Sequence, residues 1–319
     1  MWRTRRWIRE FATPEMAVSS EPLSLPTQPA GVSTAGPARR MATPWTNARR
    51  RFVRSRTGVA GAIVLVIVVL AAVFAFKVAP YSPTRQDFRV ERQPPSAQHL
   101  MGTDEFGRDV LSRVIWGAQT SLEAGAVAAT IALVVGLALG MIAAYYGGRA
   151  DNLIMRGMDV ILAFPYILLA IAVVAILGPG LLNAMIAIAI VYVPYYARVV
   201  RGSVLSVRAR DYVEAARALG APDGRVMLQH VLPNTLAPVI VQTTLNIGSA
   251  IIDTAGLSFL GLGTQPPTPD WGNMLSAGRS YVIDSPWIAT FPGLAILVTV
   301  LAFNLMGDAL RDALDPRLR

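Results

Sequence analysis

Six long apolar runs constrain this chain more than any other feature. They cover residues 58–79, 119–146, 153–177, 181–200, 235–258 and 287–306. A helix rises about 1.5 Å per residue, so about 20 residues cross a hydrocarbon core of about 30 Å. The chain is 53% hydrophobic and 15% charged, whereas a typical soluble domain has about 25% charged residues. We therefore predict an all-α membrane protein with six transmembrane helices.

The runs divide the chain into segments with different environments. We expect residues 1–57 to be a cytoplasmic, largely disordered basic tail and residues 58–79 the first transmembrane helix. We expect residues 80–115 to form an extracytoplasmic segment and residues 116–308 a five-helix core that contains a cytoplasmic loop, 207–233. Residues 309–319 are expected to be a cytoplasmic C-terminal tail. The N-terminal tail is rich in Pro, Ser, Thr, Ala and Arg and has no helical or strand periodicity up to residue 40.

The net charge of +9 is concentrated in the N-terminal tail. Residues 1–57 contain eleven arginines and three acidic residues, so the remainder of the chain is almost neutral. A basic cluster beside an apolar run attracts anionic lipid headgroups and favours a cytoplasmic location. We therefore predict membrane lipid as a partner of the tail and no nucleic acid.

Several classes of chemistry are excluded by residue types. The chain has no cysteine, and its two histidines, His99 and His230, are far apart, so no metal site is predicted. The only lysine, Lys77, lies at the end of an apolar run, so there is no phosphate-binding P-loop. No Ser/His/Asp arrangement is present either, and we predict that this chain is not an enzyme and binds no cofactor.

Three carboxylates in the apolar runs keep an ion-coupled transporter open as an alternative. Glu123, Asp159 and Asp253 lie towards the ends of their runs, and none is clearly central. Ion-driven transporters usually retain charges near the bilayer midplane. Interfacial packing or hydrogen bonding is the other role we consider for each of them.

The polar stretch 207–233 between the fourth and fifth runs predicts a short amphipathic helix. Residues 211–219 favour a helix, and one side of it is apolar: Tyr212, Ala215, Ala216 and Leu219. Gly220 predicts its end, and Pro222 with Asp223 predicts the start of a second short helix. Such a helix could dock into a partner or lie on the membrane surface.

The same stretch resembles the EAA signature of ABC-importer permeases. Glu214, Ala215 and Ala216 are followed after three residues by Gly220, and after nine more by His230, Val231, Leu232 and Pro233. His230 stands where the signature has isoleucine, although peptide-type members are similar to this chain in carrying histidine there.

Three other segments look like the second, C-type, permease subunit of dipeptide and oligopeptide importers, a group closely related to glutathione and nickel permeases. They are residues 101–109, 257–272 and 304–316, and the resemblance extends from about residue 45 to 319. It implies a type I ABC importer (MetI-like) permease fold in a bacterial inner membrane. Permeases for nickel chelates or opine-like solutes share these motifs and remain an alternative.

The resemblance also implies partners and site residues. The expected partners are a second homologous permease, two cytoplasmic ATPase subunits that use ATP and Mg²⁺, and an extracytoplasmic solute-binding protein. The expected ATPase-coupling residues are Glu214, Ala215, Ala216, Gly220, Leu232 and Pro233. No substrate-binding residue can be assigned from the sequence.

Polar motifs outside the loop 207–233 receive weaker interpretations. Asp104, Arg108 and Asp109 precede the second run, where they could cap a helix or contact an outer partner. The glycines and prolines of residues 261–272 favour a turn. Acidic and basic residues after residue 307 are interpreted as ion pairs along the last helix or as an ATPase contact.

Loop charge predicts that both termini are cytoplasmic. The segments 1–57, 147–152, 198–233 and 307–319 carry 21 Lys and Arg residues, whereas 80–118, 178–182 and 259–286 carry six. Positive loops stay on the cytoplasmic side. We expect a reporter fused after Arg225 to indicate the cytoplasm and one fused after Gln265 the outside. The reverse pattern would overturn this topology.

Overall fold

The structure is a computed structural model that describes residues 44–314, and its regular structure in that range is entirely helical. Residues 1–43 and 315–319 lie outside the described range, together with the disorder predicted for most of the tail. The α-helices are α1 Pro44–Arg54, α2 Arg56–Val73, α3 Ala75–Val78, α4 Val110–Tyr146, α5 Gly148–Leu162, α6 Tyr166–Leu177, α7 Leu181–Arg208, α8 Asp211–Ala218, α9 Asp223–Arg225, α10 Leu232–Phe259, α11 Trp271–Gly278 and α12 Trp287–Leu314. A π-helix, Val226–Val231, joins α9 to α10.

The predicted fold class is confirmed. In residues 44–314, five helices are long and apolar enough to cross a membrane: α2, α4, α7, the continuous rod Asp223–Phe259 and α12. The pair α5 and α6 makes a sixth span if it is taken as one unit, although it is bent by 91°.

The apolar run 153–177 is divided into two helices. Helix α5 ends at Leu162 and α6 begins at Tyr166, with Pro165 between them in an extended conformation at ψ 121°. Proline has no N–H to donate, and its ring disfavours a helical conformation in the preceding residue, Phe164. Hydropathy alone does not register this break, because the residues on both sides are apolar.

Two other helix boundaries differ from expectation. Helix α1 occupies Pro44–Arg54 within the segment expected to be a largely disordered tail, whereas α12 continues through Leu314, in agreement with the interpretation of the charged residues after residue 307 as part of the last helix. Helix α4 begins at Val110, about nine residues before its apolar run. Its first turns carry polar side chains that are buried against the loop before it, so hydropathy places the start too late.

The centre of the bundle is the contact between α4 and α7. Small residues recur at every fourth position of α4, at Ala132, Gly136, Gly140 and Ala144, and all four are buried. A Cβ atom on Gly140 would stand 2.5 Å from the carbonyl oxygen of Ala197. Without a hydrophobic driving force between helices in lipid, such close backbone approach supplies the packing energy.

Buried apolar side chains extend this contact into three clusters. The largest lies between α4, α6, α7 and α10 and includes Ala128, Ile188 and Leu257. A second lies at the end of the bundle where α4 and α7 meet the residues after Arg208, and a third packs α2, α11 and α12 against α4 and α10. The charged segments lie outside these three clusters, at the two ends of the bundle.

The two ends of the bundle carry different segments. The loops between α4 and α5 and between α7 and α10 share one end, where Arg201 of α7 donates two hydrogen bonds to Asp151 of α5 at 2.6 and 2.7 Å. We call residues 207–233 the connector and this end the connector end. At the other end, which we call the loop end, the Trp287 indole N–H donates to the Thr103 carbonyl at 3.0 Å.

The close approach of α4 and α7 predicts a contrast between two glycines. We expect Gly140→Ala to destabilise the bundle by about 1–3 kcal/mol, because its methyl group overlaps the α7 backbone. Gly202→Ala is the matched control, because Gly202 lies within a helix and a methyl group there would meet no atom within 4 Å; it should be neutral or stabilising by about 0.4–1 kcal/mol. Thermal unfolding of the purified protein in detergent measures both, and equal midpoints would contradict the packing argument.

Candidate functional sites: the connector and a transmembrane cavity

The connector is attached to the bundle by three buried valines. Val213 of α8 and Val226 and Val231 of the π-helix have fully buried side chains. They belong to one cluster with Val200 and Val204 of α7. The connector is therefore packed onto the membrane helices at three points along its length.

Helix α8 ends in a Schellman motif. The N–H of Gly220 donates to the carbonyl of Arg217 at 2.9 Å, and the N–H of Ala221 donates to the carbonyl of Ala216 at 3.1 Å. This pairing needs a left-handed residue after the last helical turn, and Gly220 has φ +79°. The structure thus confirms a helix that Gly220 ends.

The predicted apolar side of α8 faces outward rather than against the bundle. Leu219 is 88% exposed and Tyr212 is 40% exposed, and Leu228 beyond the turn is 62% exposed. The anchoring residue is instead Val213, which was not among the residues predicted from the sequence. Glu214 is also exposed, so the connector presents mixed apolar and acidic groups to whatever lies beyond this end of the bundle.

Polar contacts hold the connector to the end of α4. The Tyr145 hydroxyl donates to the Asp223 carboxylate at 2.6 Å, and the Arg217 guanidinium lies 4.9 Å from the centre of the Tyr145 ring. Arg208 donates to the carbonyls of Ala144 and Tyr145 at 2.8 and 2.7 Å. These bonds satisfy carbonyls that the helix end leaves without partners.

The remaining connector residues lead directly into a membrane helix. Leu232 begins α10, and the wider π turn immediately precedes Pro233, which has no N–H to donate. The carbonyl of His230 accepts a hydrogen bond from the Asn234 side chain at 2.7 Å. The two halves of the signature thus lie on two neighbouring helical segments, α8 with Glu214 and the rod Asp223–Phe259 with Pro233, joined by the turn at Gly220.

A cavity of about 430 Å³ lies between α6, α7 and α10. Its lining residues are tyrosines of α6 and α7 and mainly polar residues of α10: Tyr166, Tyr192, Tyr195, Gln242, Asn246, Ser249, Ile252 and Asp253. Its volume is within the range of about 300–1,000 Å³ that is typical of small-molecule sites. Sequence reasoning assigned none of these residues to a binding site.

A polar stripe on α10 is the signal that would have indicated this cavity. Gln242, Asn246, Ser249 and Asp253 are spaced by four, three and four residues, which places them on one face of a helix. In an otherwise apolar span such a face must meet protein or water rather than lipid. The tyrosines reach the cavity only through tertiary packing, so no local sequence pattern indicates that they line it.

The three carboxylates of the apolar runs have different surroundings. Glu123 is exposed on α4, and Asp159 of α5 is exposed and pairs with Arg198 of α7 at 2.6 Å. Asp253 is buried and accepts a hydrogen bond from the Tyr192 hydroxyl at 2.6 Å. Because these three carboxylates lie in separate places, they form no proton relay with one another.

The loop-end motif before α4 is a buried network that caps the helix. Asp109 is the N-cap of α4 and accepts hydrogen bonds from the backbone N–H and the hydroxyl of Ser112 at 2.8 and 2.7 Å. Its other oxygen lies 2.9 Å from Nδ1 of His99. Asp109 is therefore held inside the chain, as expected of a capping residue.

The neighbouring charges form a second part of this network. Asp104 accepts hydrogen bonds from the backbone N–H and the Nε of Arg108 at 2.9 and 2.6 Å, and both side chains are buried. Burial, reinforced by the adjacent Asp104, raises the pKa of Glu105. The geometry supports the structural alternative, and a partner contact through Asp104, Arg108 and Asp109 stays an untested prediction.

The glycine- and proline-rich segment 261–272 forms an irregular turn that is fastened to α4. Asp270 caps α11, and its carboxylate accepts a hydrogen bond from the Ser121 hydroxyl at 3.0 Å. The buried Trp271 indole N–H donates to the carbonyl of Val114 at 2.9 Å. This turn therefore fixes the loop end of α10 beside α4.

Two protein families match this chain. Residues 136–319 match the family described as the inner membrane component of binding-protein-dependent transport systems. Residues 43–95 match the N-terminal transmembrane domain of oligopeptide transport permease C. The first match covers more than half of the chain. The chain belongs to this transport family.

Similarity to curated relatives extends over most of this permease. It is 49% identical to the dipeptide transport system permease protein of Alkalihalophilus pseudofirmus, over 87% of this chain and 91% of the relative. It is 51% identical to the di/tripeptide transport system permease protein of Pseudomonas aeruginosa, over 84% of this chain and 90% of the relative. It is 48% identical to the glutathione transport system permease protein of Escherichia coli O6:K15:H31, over 87% of this chain and 92% of the relative.

Solved structures support the fold of the permease. It is similar to a chain of the MetNI methionine ABC transporter in an inward-facing conformation, with a TM-score of 0.52 and 18% sequence identity. The similarity covers 64% of this chain and 96% of that chain. At this identity it identifies the fold alone, and the expected type I importer fold is confirmed.

The anchoring of the connector predicts opposite outcomes for two connector residues. We expect Val213→Ala to loosen α8, because the fully buried valine loses two methyl groups, each contributing about 0.8 kcal/mol. Leu219→Ala is the control, since Leu219 is 88% exposed. Limited trypsin digestion at the connector arginines measures the difference. Val213→Ala should be cleaved several times faster than the unmodified protein and Leu219→Ala at its rate, and equal rates for all three would be evidence against the anchor.

Proposed function

We propose that this permease forms, with a second homologous permease, the membrane path of an ATP-driven importer for di- and oligopeptides. The observation that carries the proposal is identity of about half to peptide permeases over nearly the whole chain. The family itself takes its name from systems that depend on a binding protein. In this proposal an extracytoplasmic solute-binding protein delivers the peptide to the loop end.

The connector is the proposed contact with two cytoplasmic ATPase subunits. Its helix α8 is anchored by Val213 and leaves Tyr212 and Leu219 exposed at the end of the bundle. Exposed apolar side chains beside the charged Glu214 and Arg217 suit a protein partner better than water. Because residues from Asp223 onward run without interruption into α10, a movement of the ATPases at the connector is passed to the membrane helices in this proposal.

Energy in this proposal comes from the partner subunits. The only lysine, Lys77, lies in α3 at the end of the first span, so the chain has no lysine for a phosphate-binding loop. ATP and Mg²⁺ would therefore be held by the ATPases, and the permease would bind no cofactor and catalyse no reaction.

The proposed orientation places the connector end in the cytoplasm, together with both termini. Arginines are concentrated at this end, including Arg201, Arg208, Arg210, Arg217 and Arg225. Excess positive charge is retained on the cytoplasmic side of a bacterial inner membrane. The cavity between α6, α7 and α10 then lies within the span, with Asp253 towards the outer end of α10.

The alternatives have less support. Permeases for nickel chelates or opine-like solutes share the sequence motifs, but the relatives reported above are named for dipeptides, di- and tripeptides and glutathione. An ion-coupled transporter that works alone would need a relay of charges, and the exposed Asp159 is already paired with Arg198. Uptake without ATP and without partner subunits would favour that second class.

The coupling role of the connector is tested by substitution. We expect Gly220→Asp, and separately Glu214→Gln, to leave the protein inserted while uncoupling ATP hydrolysis from peptide uptake. Aspartate adds strain at a φ of +79° and a negative charge at the partner surface. Uptake and ATP hydrolysis are measured together in proteoliposomes that contain the complete complex.

The matched control lies at the opposite end of the bundle. Gly261 also has a left-handed φ, +81°, and a Cβ atom there would meet no atom within 4 Å, as at Gly220. We expect Gly261→Asp to keep hydrolysis coupled to uptake, because the same strain is placed far from the ATPases. Full transport by both connector variants would refute the coupling role.

A further inference from the structure

The cavity between α6, α7 and α10 contains an unusual carboxylate. Asp253 is only 9% exposed, and its Oδ2 accepts a hydrogen bond from the Tyr192 hydroxyl at 2.6 Å, with the Tyr166 hydroxyl as a second, weaker partner. Within residues 44–314 no arginine, lysine or histidine forms an ion pair with it. A buried carboxylate without a cation is costly, and a bound cation would offset that cost.

Aromatic rings surround the same space. Tyr166, Tyr192 and Tyr195 line the cavity, and the last two pack edge to face with ring centres 6.2 Å apart. The faces of aromatic rings attract ammonium groups, and the attraction strengthens when water is excluded. A carboxylate among tyrosines is thus suited to an organic cation.

A second polar group lies two helical turns away. Gln242 donates to the Asn246 side-chain oxygen at 2.8 Å, and the buried Nδ2 of Asn246 has no partner within hydrogen-bond distance, its weaker neighbour being the Tyr196 hydroxyl. An unpaired buried N–H is available to a carbonyl oxygen. Seven residues separate Asn246 from Asp253, about 10.5 Å along the helix, which matches an extended peptide of about three residues.

We propose that this cavity binds the N-terminal end of a peptide in transit, with its α-ammonium group at Asp253 and a peptide carbonyl at Asn246. The inference rests on the proposed function for the nature of the ligand. The site itself rests on the cavity, the unpaired amide and the carboxylate that has no ion-pair partner. A free α-ammonium group is then a requirement of the permease as well as of any binding protein.

The first test measures uptake by the complete complex in proteoliposomes. With trialanine and saturating binding protein, Asp253→Asn should lower uptake at least about tenfold, and Asp253→Glu should retain more uptake than Asp253→Asn. Glu123→Gln is the matched control, because it removes an exposed carboxylate from another span, outside the cavity. Copurification of the partner subunits shows whether each variant assembles. Unchanged uptake by an assembled Asp253→Asn complex would overturn the proposal.

The second test reads the cavity without transport. Because the chain contains no cysteine, Ser249→Cys introduces a single thiol into the cavity of this subunit. A thiosulfonate reagent with a quaternary ammonium group should label it at least about fivefold faster than a sulfonate analogue. Asp253→Asn should abolish this preference, and Glu123→Gln should not. Trialanine should slow labelling, whereas N-acetyl-trialanine should not.

The two tests separate the inference from the proposed function. A complex that takes up no peptide but still prefers the cationic reagent, with the preference lost in Asp253→Asn, would keep the cation site and refute peptide import. A complex that imports trialanine but labels equally with both reagents would keep the function and refute the site.

Discussion

The close contact between α4 and α7 is the constraint on which the other features depend. Lipid tails are as apolar as leucine, so these helices gain little from leaving lipid and much from dispersion contacts at short range. Gly136 and Gly140 remove the side chains that would keep the backbones apart. With α7 fixed in this way, Tyr192 and Tyr195 face the cavity and Arg208 reaches the end of α4.

Hydropathy and local chemistry predicted much of this architecture. Long apolar runs identify membrane helices because an unpaired backbone group in lipid is costly, and the end of α8 follows from the left-handed preference of Gly220. The sequence shows Pro165 within an apolar run but did not indicate a bend as large as 91°, since a proline in a span can kink a helix or interrupt it. The orientation of α8 was also unpredictable, because one valine, Val213, outweighs four less buried apolar residues.

The cavity was missed for a different reason. From the sequence, Asp253 is an isolated charge. Its role as part of a cavity depends on Asn246, two turns earlier on the same helix face, and on tyrosines from other helices. A stripe of polar residues on one helix can be found from spacing alone. Its partners cannot, because residues 192 and 253 meet only after α7 and α10 have packed together.

The rod Asp223–Phe259 is continuous from the connector to the loop end. About 45 Å of helix separates Asp223 from Asp253 at 1.5 Å per residue. Side chains of the rod are buried in the bundle along most of its length, from Val226 and Val231 near one end to Ile251 and Leu257 near the other. Because the rod is packed against the bundle over this length, a displacement at Asp223 would also strain the contacts around Asp253.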